Sequence, residues 1–212
     1  MENFLNLLKI LSEGLGTTLL IFLLTLVLGI PAGILVAVAR NSKNRIVKTL
    51  IKVYILIIRG TPMMIQIIFI YFAPYYLFKV TYDRFVAIII AFVVNYAAYF
   101  AEIFRSGILS IPKGQKEAAF SKTQTFFRIL LPQIVKRILP AMSNEVISLI
   151  KTTSLAQIIG ITEIFALAQK QASYQFSILP LCVAGLMYLV LCTIITYAFN
   201  KAEKKYSYYT IT

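Results

Sequence analysis

Arg59, Thr61, Asn95, Tyr99, Glu145 and Lys151 lie inside or at the edges of long hydrophobic runs. Polar groups in hydrocarbon are costly and are tolerated mostly where they line a cavity or pair with each other. Counted from the nearest basic boundary at ~1.5 Å per helical residue, Asn95, Glu145 and Thr61 come out at roughly 12–15 Å. That is close to the middle of a ~30 Å hydrocarbon core. A common depth suits a shared polar pocket at the midplane, where transport sites tend to lie. Gly60 and Pro62 would break their helix at that level and free backbone groups for a ligand, and Tyr96 and Tyr99 would line the pocket. Plainer readings stand beside this one. Asn95 would only hydrogen-bond a neighbouring helix, Glu145 would pair with Lys151 or Arg59, and Arg59 would snorkel to the cytoplasmic face. Glu102 would form an i,i+3 ion pair with Arg105.

Other chemistries are poorly supplied. The chain has no His and no Trp, and its two cysteines, Cys182 and Cys192, share one apolar run. A metal cluster, a Cys–His nucleophile and a disulfide framework are therefore excluded or improbable. None of the nine glycines begins a phosphate-binding loop, so uphill transport would need a partner's energy or an ion gradient. The fraction of hydrophobic residues is 59% and the mean hydropathy +0.82, against roughly 45–50% apolar residues in soluble domains. The solvent is a bilayer. A net charge of +13 could indicate nucleic acid, but these cations sit between apolar runs, as cationic loops of a membrane protein do.

The elements that must position the polar residues are the spans themselves. Residues 14–39 carry no charge, and 26 helical residues exceed the thickness of the core. Further runs cover 53–78, 85–104, 138–168 and 171–200; the fourth is broken by Glu145, Lys151 and Glu163. The early Lys9 and the length of the first run do not fit a cleaved signal peptide. With five spans, fifteen Lys and Arg fall on one side, in 40–52, 105–137 and the tail, and four on the other. Basic loops stay cytoplasmic, so the N-terminus is expected outside and the C-terminus in the cytoplasm of a prokaryotic plasma (inner) membrane. The glycines at 29 and 33 form a G-x-x-x-G pattern around Pro31, read as either a kink or a dimer face.

The longest cytoplasmic segment, 105–137, contains Ser110-Ile111-Pro112-Lys113-Gly114-Gln115-Lys116-Glu117-Ala118-Ala119. Pro112 and Gly114 favour a turn, after which 116–131 would form a short helix. Ala118 and Ala119 leave a shallow surface that fits a groove in another protein, and Glu117 offers a carboxylate at the first turn. An amphipathic helix lying on anionic lipid is the competing reading.

At these residues the chain resembles the permease subunits of ABC importers, in the polar amino acid subgroup. "SIPKGQKEAA" followed by "QTFFRILLPQ" is similar to that family's Glu-Ala-Ala signature. Arg59-Gly60-Thr61-Pro62, Ala98-Tyr99-Phe100-Ala101-Glu102 and Asn144-Glu145 with Thr153-Ser154-Leu155 resemble its second-, third- and fourth-helix patterns, in order. The resemblance implies an all-α integral membrane protein, a MetI-like ABC importer permease fold of five transmembrane helices with a cytoplasmic coupling helix. It implies that Gly114, Lys116, Glu117, Ala118, Ala119 and Thr123 contact a cytoplasmic ABC ATPase dimer. ATP and Mg would be bound by those partner subunits, with no cofactor on this chain. A second permease copy or sister permease, an extracytoplasmic solute-binding protein, the lipid bilayer and an amino acid substrate are the other implied partners, and nucleic acid is not one. For such a substrate, Glu145 would meet a cationic group and Arg59 an anionic one. Thr123 stands where the family has Gly, and the spacing to "QTF" is about one turn shorter. The rival functions are an ion-driven secondary amino acid transporter or channel, and a lipid-bound scaffold.

Overall fold

A computed structural model describes residues 2–112 and 126–206, which are helical apart from short connections. The helices are α1 Glu2–Ser12, α2 Leu15–Arg40, α3 Arg45–Gly60, α4 Met63–Phe78, α5 Arg84–Leu109, α6 Leu131–Thr152, α7 Ile164–Gln175 and α8 Leu179–Tyr206. A π turn, Phe126–Leu130, leads into α6, and a 3-10 segment, Thr153–Ile159, leaves it. Among the described residues, α2, α5 and α8 are each long and apolar enough to cross a membrane. Two bent pairs, α3 with α4 and α6 through the 3-10 segment with α7, bring the total to five if each is one span.

Helix α5 is the central post. Its Ala87, Ile88, Ala91, Phe92, Ala98, Phe100 and Ala101 are buried, while α2 and α8 turn residues such as Leu35, Val38, Leu189 and Ile194 outward. Lipid tails are as apolar as Leu, so packing at small residues, rather than exclusion of water, joins helices here. The contact of α2 with α5 shows it. A Cβ on Gly33 would stand 2.6 Å from Phe100 Cβ, closer than two carbons can pack. Gly29 and Gly33 thus serve packing against α5 within the chain.

The bend of 113° between α3 and α4 comes from Gly60-Thr61-Pro62. Proline has no N–H to donate and pushes the preceding residue out of the helical region; Thr61 is extended, at φ −118° and ψ 148°. The second bent pair turns by 59°. There Gly160, at φ +77°, ends the 3-10 segment, and Glu163 accepts hydrogen bonds from the Phe165 and Ala166 amides to begin α7. Glu163 is fully buried and also accepts from the Tyr188 hydroxyl of α8 at 2.6 Å. It caps a helix where sequence shows only an interruption. Tight packing surrounds it: a Cβ on Gly14 would lie 2.5 Å from the Glu163 carbonyl carbon. Helix α1 buries Leu7 and Leu11 against Ile164, Ala168, Val183 and Ala184.

Candidate functional site

The break between α3 and α4 gathers several of the polar residues. The Ile57, Ile58 and Thr61 carbonyls at the break are taken by side chains of this chain, which corrects for these three the expectation, from Gly60 and Pro62, of backbone groups freed for a ligand. The Thr61 hydroxyl donates to the Ile57 carbonyl at 2.8 Å. Gln66 Nε2 lies 2.8 Å from the Ile58 carbonyl, 3.1 Å from the Thr61 carbonyl and 2.8 Å from Thr61 Oγ1. Helices need every backbone group satisfied in lipid, and Gln66 does that for two carbonyls of the bend. Its own Oε1 accepts from Asn95 Nδ2 of α5 at 2.8 Å. Asn95 is buried behind Gln66 and pairs with a neighbouring helix, the plainer of the two readings of this residue. Sequence reasoning missed Gln66; a lone Gln in an apolar run, four residues after a Pro, was the available signal.

Arg59, in the last turn of α3, is exposed. Its guanidinium carbon lies 5.3 Å from the centre of the Tyr99 ring, within reach of a cation–π contact. From there its charge acts on both the Glu145 and the Glu102 carboxylates. Glu145 is half-buried on α6 and faces the Tyr96 hydroxyl, which also faces Ser148 and Thr152. Lys151 is exposed and makes no ion pair among the described residues, so it is not the partner of Glu145. Thr61, Asn95 and Gln66 thus form one linked group, while Arg59 and Tyr99 are in contact with each other and Glu145 lies within reach of the Arg59 charge.

The expected Glu102–Arg105 pair is present at 2.9 Å, but Glu102 also binds Arg40, from the end of α2. That second arginine lies too far away in sequence for helical spacing to reveal it. The Tyr54 hydroxyl of α3 donates to the Val94 carbonyl of α5 at 2.5 Å, tying α3 to the post. An open cleft of about 700 Å³ runs along α3, lined by Arg40, Lys52, Leu56, Arg59, Gly60, Tyr99 and Glu102 together with Ile55. A separate cavity of about 240 Å³ between α2, α5 and α6 has a wholly apolar lining and offers a polar solute nothing. Gly114, Lys116, Glu117, Ala118, Ala119 and Thr123 lie outside the described residues.

A bent, polar-lined helix bundle of this kind suits a membrane transport subunit. Residues 29–208 match the binding-protein-dependent transport system inner membrane component, and the chain belongs to that family. The L-cystine transport system permease protein TcyB of Bacillus subtilis (strain 168) is 37% identical over 206 residues, covering 94% of this chain and 88% of the relative. The arginine transport system permease protein ArtQ of the same organism is 35% identical, covering 91% and 90%. The putative glutamine transport system permease protein GlnP of Rickettsia typhi is 33% identical, covering 91% of each. Among solved structures, an amino acid ABC transporter with histidines superposes with a TM-score of 0.84 at 29% identity, over 95% of this chain and 98% of that one. The inward-facing MetNI methionine ABC transporter, at 19% identity and a TM-score of 0.70, shares the fold, over 94% and 95% of the two chains. The chain is therefore a multi-pass inner-membrane permease subunit, and its family works with ATPase and binding-protein partners in general. An ion-driven carrier is not favoured.

Proposed function

We propose that this permease carries a polar amino acid inward, received from an extracytoplasmic solute-binding protein and driven by a cytoplasmic ABC ATPase dimer that binds ATP and Mg. The observation that supports this best is Arg59 on Tyr99, exposed on the wall of the cleft and within the field of Glu145. Lipid would not tolerate an exposed guanidinium at that depth. The cleft is accordingly a water-filled passage, completed by a second permease copy or a sister permease. Opposite charges suit a zwitterion: Arg59 takes the carboxylate and Glu145 the cationic group, with Thr61, Tyr99 and Lys151 along the same pathway and Asn95 behind it, holding Gln66. The similarity to cystine, arginine and glutamine permeases supports an amino acid as cargo.

Spans at 14–39, 53–78, 85–104, 138–168 and 171–200 would put the N-terminus outside and the C-terminus in the cytoplasm. The loop 105–137 then faces the ATPases. Gly114, Lys116, Glu117, Ala118, Ala119 and Thr123 would form the coupling surface, with the small Ala pair entering an ATPase groove. ATP binding would close the ATPase pair, pull the 116–131 arms and swing the helices from inward-open to outward-open. This chain does no covalent chemistry in the cycle.

Affinity copurification from the native membrane is expected to bring down an ABC ATPase with this chain. Glu117→Lys is expected to abolish solute-stimulated ATP hydrolysis and uptake while the protein stays in the membrane. Normal uptake by that variant removes the coupling assignment.

A further inference from the structure

The cleft continues beyond Arg59 toward the cytoplasmic end of α3, and its charges do not balance. Three cations, Arg40, Lys52 and Arg59, line it against one acid, Glu102. Glu102 is already held by two arginines, Arg40 from α2 and Arg105 from its own helix. Lys52 and Arg59 are left without an ion pair among the described residues. Both are exposed and both line the same cleft. They stand seven residues apart on α3, two turns and about 10 Å along one face.

We infer that Lys52 and Arg59 form a carboxylate-binding vestibule below the Glu145 pocket, where an amino acid rests on its way to the cytoplasm. The inference rests on the proposed transport function and adds a site to it. The Tyr99 ring holds the Arg59 guanidinium by a cation–π contact, 5.3 Å from carbon to ring centre, which uses none of its N–H donors and leaves them for a planar carboxylate. Lys52 supplies a mobile point charge that receives the same group further down. Gly60 keeps the wall open between them and the pocket, because nothing lies within 4 Å of the place its Cβ would occupy. A phosphate of an anionic lipid carries similar charge. The carboxylate of a transported solute fits better, because Arg59 and Tyr99 belong to the cleft and to the group around Glu145 at once, which makes the two sites continuous.

The test uses the assembled transporter with its ATPase partner in phosphatidylcholine nanodiscs, carrying Cys182→Ser and Cys192→Ser. A single reporter thiol, Leu56→Cys, is placed in the cleft, where Leu56 is 73% exposed. Gly60→Cys is a second reporter in open space and guards against a misfolded first one. An anionic and a cationic methanethiosulfonate are compared, each rate divided by its rate with free cysteine. The anionic reagent is expected to react about tenfold faster, as a cleft with an excess of one sign of charge concentrates counter-ions. That ratio is expected to fall toward one in Lys52→Gln and in Arg59→Gln. At least one of L-glutamine, L-arginine and L-cystine is expected to slow the labelling in the parent and not in Lys52→Gln.

Equal labelling by the two reagents overturns the vestibule. So does protection that survives Lys52→Gln, or a lack of protection by every amino acid tried. Protection that appears only when phosphatidylglycerol replaces part of the phosphatidylcholine assigns the site to lipid and overturns it too. Uptake by Glu145→Gln reads the pocket alone, so failure of the pocket and failure of the vestibule are told apart.

Discussion

Replacing Gln66 by Leu removes the side chain that holds the bend between α3 and α4, at nearly constant volume. Four groups lose a contact: the Ile58 and Thr61 carbonyls, the Thr61 hydroxyl oxygen and the Asn95 amide. An unsatisfied buried group costs about 1–3 kcal/mol in a soluble protein, which summed over the group would reach several times that. The membrane scale is smaller, averaging ~0.6 and reaching at most ~1.7 kcal/mol per interhelical bond, because freed groups find other partners. The smaller scale governs here. Thr61 is exposed and its oxygens are open to other partners, whereas Asn95 is buried and has no such alternative. Gln66→Leu is therefore expected to cost about 1–2 kcal/mol, most of it from Asn95, a factor of roughly 5–30 in the folded-to-unfolded ratio. The assay is unfolding of the purified permease by dodecyl sulfate titration, followed by circular dichroism. Gln66→Leu with Asn95→Leu is expected to lose less than the sum of the single losses, by about 0.6–1.7 kcal/mol. A Gln66→Leu protein as stable as the parent, or strictly additive losses, would show that the bend does not depend on this pair.

Glu145→Gln is expected to raise the KM for a cationic amino acid at least tenfold, about 1.4 kcal/mol of lost attraction, in uptake by proteoliposomes. Unchanged transport of every amino acid tested would retire the assignment. Glu163→Ala strips the cap from α7, leaving two amides without their acceptor and taking from the Tyr188 hydroxyl its acceptor at 2.6 Å; a loss of about 1–2 kcal/mol in the same unfolding assay is expected. Tyr188→Phe, which leaves the amide bonds in place, should cost less than half as much. Gly33→Ala drives a methyl into Phe100 Cβ and is expected to destabilise by about 1–3 kcal/mol; no change in midpoint would mean that α2 and α5 can part without penalty.

Much of the bundle is legible in the chain because bilayers impose simple rules. A run of 26 uncharged residues must be a helix, and Pro62 after Gly60 must interrupt one. Asp83, just ahead of α5, accepts from the Phe85 and Val86 amides, as a capping residue does. The Glu102–Arg105 pair is visible because helical geometry brings such residues together within one turn. Composition and motif order together also determined the class of transporter.

What the chain alone left open involves partners distant in sequence. Gln66 reads as one more polar residue until Asn95, on another helix, is found at its amide. Glu163 reads as a break until Tyr188, 25 residues on, closes over it. Arg40 reaches Glu102 across 62 positions of sequence, and so turns a local pair into a bridge between α2 and α5. Depth counting brought Thr61 level with Asn95, but not the turn of 113° that wraps the freed carbonyls around Gln66. Hydrophobic periodicity and charge specify which segments enter the membrane, one helix at a time. Which polar groups then meet depends on how closely Gly and Ala let the helices approach, and that distance is a property of the packed bundle.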